Sequence, residues 1–308
     1  MKTFWMTVMT AWDRFWFQKS DPIVLSVIRV LAGAILFYTH LVWTFELESF
    51  FSSDLILSDE HNEIITGTKF AWSHFNWVGS FGLLTAIHYF ALICMFLYWI
   101  GFYTRITSVI SLLFTISYAN RAVGATFGLD QINVMLTFYC AIGPSGAMFS
   151  MDRLLRKRTV EVVPTSLANV AIRLAQLHLC VIYLFAGTGK LLGSSWWNGE
   201  AIWGAMANSE YQTLDLTWLA ASPYLINLIT HVSLAWEASY VFLVWPKWTR
   251  PVVIGMAFGV HLGIGIAMGM VEFGLIMAIA NLVFVSSSLM RRLIGIVLSG
   301  VNEWPTAK

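Results

Sequence analysis

A lysine lies at the end of a long apolar stretch of this chain, and two polar residues precede it at a regular spacing. Gln176, Tyr183 and Lys190 are seven residues apart, so a helix would place their side chains along one face. Polar groups aligned over two heptads indicate a face that points into the protein or into a cavity. Gly187 and Gly189 leave space beside the amine for backbone or for a ligand. An amine kept from water there would be uncharged and able to act as a base, although an amine at a helix end can also extend to the membrane surface.

Two further groups able to move protons lie inside later apolar stretches. Glu237 lies within THVSLAWEASYVF, and His261 lies within GMAFGVHLGIGIAMGM among glycines that include Gly265. Close helix packing explains the glycines but not the histidine. His231 and Glu272 lie nearer the predicted outer ends of their stretches. A cavity that opens outward between the last four predicted spans would bring these side chains together with the lysine.

Ionisable residues also lie inside apolar stretches of the first half of the chain and at the start of the lysine-bearing stretch. We expect Arg29 and Arg173 to be structural pins, bonded to carbonyl groups or to a carboxylate, because charges within a membrane face the protein interior. His40 and His88 are expected to be hydrogen-bonded packing groups rather than ligands.

A polar segment, NRAVGATFGLDQINVML, separates two of the apolar stretches. Its carboxylate, Asp130, has three possible roles. It could cap the helix that follows, or pair with Arg121, or pair with Lys190. The sequence leaves these three alternatives open.

The composition indicates a polytopic membrane protein. Of the 308 residues, 58% are hydrophobic and only 11% are charged, and the mean hydropathy is +0.70. Soluble domains carry about 25% charged residues. A net charge of +1 gives no reason to expect nucleic-acid binding. The three cysteines lie in apolar runs without zinc-ligand or disulfide spacing, so no metal site is predicted.

Apolar runs of about 20 residues, the length of a bilayer-spanning helix, predict an all-α bundle of eight transmembrane helices. Their predicted ranges are 22–44, 82–103, 106–123, 129–149, 166–190, 224–245, 251–270 and 272–289. Residues 1–20 are predicted to form an amphipathic interfacial helix, and 290–308 a cytoplasmic tail, all within a single membrane domain over 1–308.

The basic residues predict that both termini lie in the cytoplasm. With that orientation, most of the 18 lysines and arginines are cytoplasmic, as the positive-inside rule requires: Lys2, Arg14, Lys19, Arg105, Arg153, Arg156, Lys157, Arg158, Lys247, Arg250, Arg291, Arg292 and Lys308. The outer loop over 45–80 is acidic, and the one over 191–223 contains no Lys or Arg. Lys190 would then lie at the extracytoplasmic mouth of the fifth span.

Three segments together resemble a known membrane family. YLFAGTGKLLGSSWWNGEAIW, WEASYVFLVWPKWTR and FGVHLGIGIAMGM are similar to the HTTM (horizontally transferred transmembrane) domain, the membrane part of vitamin K-dependent gamma-carboxylases. FGLDQINVMLTFYCAIGPSGAMFSMDR is similar to the fourth span of bacterial members. The resemblance covers about 20–290.

The resemblance implies an enzyme that oxidises a reduced quinone of the vitamin K or menaquinol type. Lys190 stands where the family has the base that deprotonates the quinol, and His261 matches an assisting histidine. Oxygen and CO2 would be co-substrates, with an epoxide and a carboxylated glutamate as products. With Glu237, these two residues form the expected catalytic set. The expected cofactor-binding residues are Gln176, Tyr183, Gly187, Trp197 and Gly265, with Asp130, Arg121, His231 and Glu272 in support.

The chain departs from the animal carboxylases in two respects. We expect no counterpart of their large outer domain for the protein substrate, and Asp130 and Gln131 lie where those enzymes have a further histidine. The expected enzyme is therefore a lyase or monooxygenase type, in a bacterial inner membrane, for which carboxylation of a secreted or membrane peptide stays open. The alternative is a non-enzymatic protein that binds a quinone or lipid, or that helps peptide maturation or export. A transporter would be expected to show internal repeats, and none is visible.

Overall fold

The computed structural model describes residues 1–51, 71–156, 161–211 and 213–299. Within these residues the regular structure is helical, as the predicted all-α class requires. The predicted acidic loop over 45–80 lies largely outside the described residues. So do Lys69, Lys157, Arg158 and Lys308, and residues 300–308 of the predicted tail.

The chain folds into two compact units. The first consists of 1–174 and 285–308, and the second of 175–284. The single domain expected over 1–308 stays a prediction.

The first unit contains most of the helices before residue 175 and the last helix of the chain. They are α1 (Lys2–Phe17), α2 (Ile23–Trp43), α3 (Leu47–Phe51), α4 (Phe81–Ile100), α5 (Thr104–Arg121), α6 (Gly128–Ile142) and α7 (Met151–Leu155). α8 (Ser166–Leu191) begins in this unit and ends in the second. The second unit continues with α9 (Ser194–Trp197), α10 (Ala201–Met206), α11 (Pro223–Leu243), α12 (Arg250–Ala267) and α13 (Val271–Asn281), and α14 (Ser287–Ser299) returns to the first.

Four helical stretches are long and apolar enough to cross a membrane. They are Ile23–Phe51, Phe81–Ile100, Ser166–Leu191 and Arg250–Ala267. The outward face of α4 is apolar, with Phe90 and Ile93 more than half exposed. Such a surface is costly in water and suited to lipid.

Local sequence signals set the ends of these helices. α2 begins directly after Asp21 and Pro22, and the Asp21 carboxylate accepts a hydrogen bond of 3.0 Å from the Ile23 amide. Ser80 caps α4 in the same way by accepting from the Leu83 amide. Gly101 ends α4 with a φ of +73°, a left-handed conformation that glycine adopts without strain.

Arg29 is the structural pin predicted from the sequence. Its fully buried guanidinium donates to backbone carbonyls at the end of α4, those of Tyr98 and Trp99, and in the turn after α6. The carbonyls in that turn belong to Ser145, Met148 and Phe149. Carbonyls at a helix end lack partners within the helix. These hydrogen bonds therefore provide partners for both the guanidinium and the carbonyls.

The histidines of the first unit make local contacts, as expected of packing groups. His88 bonds through one ring nitrogen to the Tyr118 hydroxyl and through the other to Thr44, at 2.9 Å. His40 bonds to the Leu36 carbonyl and packs edge-on against Tyr118. Arg173 lies over the ring of Phe15.

Two predicted spans are much shorter as helices than predicted. The span over 129–149 ends as a helix at Ile142 because Gly143 is extended before Pro144, and the turn that follows supplies the carbonyls that Arg29 binds. The span over 272–289 ends with a 3₁₀ turn at Leu282–Phe284, and α14 begins at Ser287, before the end of the predicted span, and continues into the segment expected to be a tail.

Candidate functional site

The second unit pairs Lys190 with Glu237. Lys190 lies in the last turn of α8, and its Nζ forms a salt bridge with Glu237 Oε2 from the middle of α11. The two side chains are 30% and 12% exposed. The ring of Trp196 lies 5.3 Å from the same nitrogen, within the range of cation–π attraction.

This salt bridge bears on two expectations from the sequence. We expected an uncharged amine, whereas the structure places a carboxylate beside it, the arrangement of an amine that carries its proton. Of the open roles for Asp130, the structure supports the helix cap: its carboxylate accepts a 3.0 Å hydrogen bond from the Phe127 amide at the start of α6. Arg121 is buried at the end of α5.

The close approach of α8 to α11 depends on Gly187. A Cβ atom on this residue would lie 2.9 Å from the α-carbon of Ala238, which is too close for an unstrained contact. Glu237 precedes Ala238, and Lys190 follows Gly187 by about one helical turn. The missing side chain therefore lets the salt bridge form, and the space beside Gly187 is filled by backbone. Around Gly189, by contrast, the space is open.

Four buried side chains form a hydrogen-bonded network deeper in this unit, which begins at Tyr183, seven residues before Lys190. Tyr183 Oη lies 2.7 Å from His261 Nε2 and 3.0 Å from Asn281 Nδ2. Tyr240 Oη donates to Asn281 Oδ1 at 2.7 Å. All four side chains are at most 4% exposed. This hydrogen-bonded network thus connects four helices, α8, α11, α12 and α13.

The donors among these side chains favour one form of the imidazole. The Tyr183 hydroxyl accepts from the Asn281 amide, and His261 Nε2 is the acceptor next to it for its own proton. A neutral His261 then carries its proton on Nδ1, a buried atom without a hydrogen-bond partner among the described residues. The site therefore holds one unsatisfied donor, which a buried polar group normally avoids.

Aromatic rings fill the space around this hydrogen-bonded network. Tyr183 and Tyr240 stack with their ring centroids 3.8 Å apart. Trp236 packs edge-on against Tyr183, and its indole donates to the Val253 carbonyl at 3.1 Å. His261 packs edge-on against Phe273.

Gln176 completes the polar face predicted for α8. Gln176, one heptad before Tyr183, donates to the Val283 carbonyl at 2.7 Å. The three side chains of this face, Gln176, Tyr183 and Lys190, thus make contacts with α11, α12 and the turn after α13.

The other expected residues of this unit have structural contacts. Trp197 is 61% exposed and donates to the Leu191 carbonyl. His231 bridges the carbonyls of Asn227 and Trp197, at 2.9 and 3.2 Å. Gly265, near the end of α12, packs against Val271 at the start of α13.

Glu272 is half-buried in the first turn of α13. The functional roles of Trp197, His231, Gly265 and Glu272 stay predictions.

Sequence reasoning missed Asn281, Tyr240 and Trp236. Asn281 is the one amide in the apolar run GLIMAIANLVFV, and a polar group in such a run is a signal of an interior contact. The two aromatic residues carried no such signal, because apolar spans commonly contain them.

The outward-opening cavity expected around Lys190 is not among the two cavities described. Both belong to the first unit, and neither is lined by Lys190 or His261. Among the described residues there is also no cluster of three or more His, Cys, Asp or Glu able to hold a metal ion.

Comparisons with known proteins give this site no precedent. No protein-family model, no curated protein and no solved structure matches the chain. Its function must be argued from the geometry.

Proposed function

We propose that this protein is an integral membrane enzyme, similar to the gamma-carboxylases of the HTTM family, that oxidises a reduced quinone with oxygen. The proposed topology has eight spans with both termini in the cytoplasm of a bacterial cell and the site toward the extracytoplasmic side of the inner membrane. The distribution of lysine and arginine supports this orientation. Each of the eight apolar segments also contains a helix.

The observation that carries the proposal is the Lys190–Glu237 salt bridge within an apolar helical unit. A charged pair in such a place is costly to maintain, and intramembrane ionisable residues are typical of functional sites. Glu237 Oε2 can take the proton of Lys190 Nζ. The neutral amine then accepts a proton from an acidic hydroxyl group, as a general base.

The surrounding residues fit a flat ligand with oxygen atoms. His261 Nδ1 is a buried donor without a partner among the described residues, and a quinone oxygen is a suitable acceptor. Trp196 offers an indole ring beside the amine, and the backbone at Gly189 borders open space. When bound, a reduced quinone would supply four electrons, two as the quinol becomes a quinone and two from the ring double bond that becomes the epoxide. O2 would be the oxidant, so that one oxygen atom enters the epoxide and the other leaves as water.

Carboxylation of a glutamate side chain on a peptide is the proposed second half-reaction. It consumes CO2, and the γ-hydrogen of the glutamate leaves as a proton. An assay for carboxyglutamate on an added peptide tests this step separately from epoxide formation.

The filled interior favours a second candidate, a non-enzymatic protein that binds a quinone or lipid, or that assists peptide maturation or export. Stacked tyrosines occupy the space next to His261, which suits a rigid scaffold. This candidate predicts quinone binding without turnover.

One assay distinguishes the two candidates. Purified full-length protein in lipid nanodiscs is given vitamin K hydroquinone, oxygen and bicarbonate, and the epoxide is measured by chromatography. We expect turnover, and a loss of about 10²- to 10⁴-fold in Lys190→Ala. Lys247→Ala, at an exposed lysine between α11 and α12, is the matched control. Absence of epoxide with the unaltered protein, or an unchanged yield in Lys190→Ala, overturns the proposed enzyme.

A further inference from the structure

Two adjoining cavities lie among the helix ends of the first unit. Their volumes are about 230 and 190 Å³. They share a wall that consists of Pro144, Gly146, Ala147, Asp152 and Arg156. None of their lining residues takes part in the reaction proposed above, so a ligand here would have a separate role.

Arginines dominate the charge of this paired cavity. Arg153 lines the larger part, Arg105 lines the smaller part, and Arg156 lines both. Arg105 is held toward the end of α6 by a 3.2 Å hydrogen bond to the Ile142 carbonyl. Planar guanidinium groups are well suited to bind phosphate oxygens.

Two carboxylates also line the cavities, and one of them is already engaged. Asp152 accepts hydrogen bonds of 2.7 to 2.8 Å from the Tyr103 and Thr104 amides and from the Thr104 hydroxyl, which cap α5. Glu161 lines the larger cavity. Three arginines against two carboxylates leave a net positive lining, which favours an anion.

The rim of the larger cavity is apolar. Val162 and Val163 line it, and Val163 is 60% exposed. Leu155, next to Arg156 in the chain, is 63% exposed. Apolar side chains around an arginine-lined cavity suit a ligand that carries hydrocarbon as well as phosphate.

We propose that this cavity binds the phosphate diester of an anionic phospholipid, with Arg105, Arg153 and Arg156 at the headgroup and the valines beside the acyl chains. Basic pockets among the ends of membrane helices bind anionic headgroups in this manner. The same arginines are among the residues that the positive-inside rule assigns to the cytoplasmic face, where anionic lipids would reach them.

Native mass spectrometry of the delipidated, detergent-purified full chain, titrated with phosphatidylglycerol, tests this proposal. We expect a saturable site whose affinity falls about fivefold in Arg156→Gln, since a basic residue near a membrane surface contributes about 1 kcal/mol. Arg156 is exposed, so the variant should fold. Arg292→Gln, at an exposed arginine of α14 that lines neither cavity, is the matched control and should bind like the unaltered protein.

Two further measurements distinguish an anionic lipid headgroup from other sources of phosphate. Phosphatidylcholine should bind more weakly than phosphatidylglycerol, and a large excess of inorganic phosphate should fail to displace the lipid. Equal binding of both lipids, displacement by inorganic phosphate, or equal weakening by Arg156→Gln and Arg292→Gln would each overturn the proposed lipid site.

Discussion

Tyr183 and His261 share a 2.7 Å hydrogen bond that joins α8 to α12 inside the second unit. The hydroxyl of Tyr183 also accepts a hydrogen bond from Asn281, so one oxygen atom satisfies polar groups on two other helices. This double role makes the hydroxyl a main determinant of the unit's packing.

Removal of that hydroxyl should destabilise the protein. Tyr183→Phe keeps the ring but leaves His261 Nε2 and one Asn281 proton without a partner, at an expected cost of about 1–3 kcal/mol. The free energy of unfolding in detergent measures the effect. Tyr224→Phe, at a 91% exposed tyrosine of the same unit, is the control and should change it by less than about 0.5 kcal/mol. A loss in Tyr183→Phe no larger than in the control contradicts this role.

Gly187 and Gly189 should respond differently to the same substitution. Gly187→Ala places a methyl group against the Ala238 backbone and should cost about 1–3 kcal/mol through overpacking. Gly189→Ala meets open space and should be neutral, or stabilise by about 0.5–1 kcal/mol because alanine favours the helix. Thermal unfolding of the two variants side by side checks the prediction, and equal effects would show that α8 does not approach α11 closely.

Lys190 and Glu237 should be energetically coupled. Lys190→Met leaves a largely buried carboxylate without its partner, and Glu237→Gln leaves the amine unpaired. Because the pair is only partly exposed, each single change should cost about 1–3 kcal/mol, between the values for surface and buried pairs. The double variant should cost less than the sum. Unfolding free energies of all four proteins measure the coupling, and strict additivity would mean that the salt bridge is absent in solution.

Asp152 should make a contribution to stability that disappears in acid. Partial burial alone would raise the pKa of this carboxyl, but hydrogen bonds from Thr104 and Tyr103 and the charge of Arg156 lower it below its ordinary value of 3.8. A lowered pKa in the folded state means that the ionised form stabilises the fold above about pH 4 and that this stabilisation is lost as the pH falls further.

Asp152→Asn tests this linkage. The variant should unfold at a lower temperature than the unaltered protein at pH 7, and the difference should shrink as the pH is lowered toward 3. Asp13→Asn, at an exposed carboxylate of α1, should show no such pH-dependent difference. A difference that is constant from pH 7 to 3 would contradict the assigned role of the carboxylate.

The sequence predicted which side chains of α8 face inward, but not their partners. Seven-residue spacing determines which groups share a helix face, because the helical repeat is fixed. Which atom meets Lys190 depends on how α8 packs against α11, a contact that Gly187 permits. The lone amide of an apolar run indicates that Asn281 points inward, but its partners, Tyr183 and Tyr240, depend on how α13 packs against α8 and α11.

Helix boundaries that have a local sequence signal were also predictable, whereas hydropathy alone placed some helix ends too late. Asp21 and Pro22 start α2 because a capping side chain and a first-turn proline act within one helical turn. α6 ends at Ile142 because Gly143 is extended before Pro144, and Arg29, more than 110 residues earlier, binds the Ser145 carbonyl in the turn that follows. Apolarity continues beyond Ile142 in the sequence, so hydropathy alone extended the span too far.

The position of Arg29 constrains how the protein can be made. Its carbonyl partners reach as far as Phe149, so a ribosome has to synthesise some 120 residues after the arginine before the guanidinium is satisfied. Until then, some hydrogen-bond donors of the guanidinium lack their carbonyl partners, which disfavours release of the first apolar helix into lipid. Insertion of this helix should therefore be delayed at the translocon until the segment after α6 emerges, which makes the first half of the protein assemble as one group rather than helix by helix.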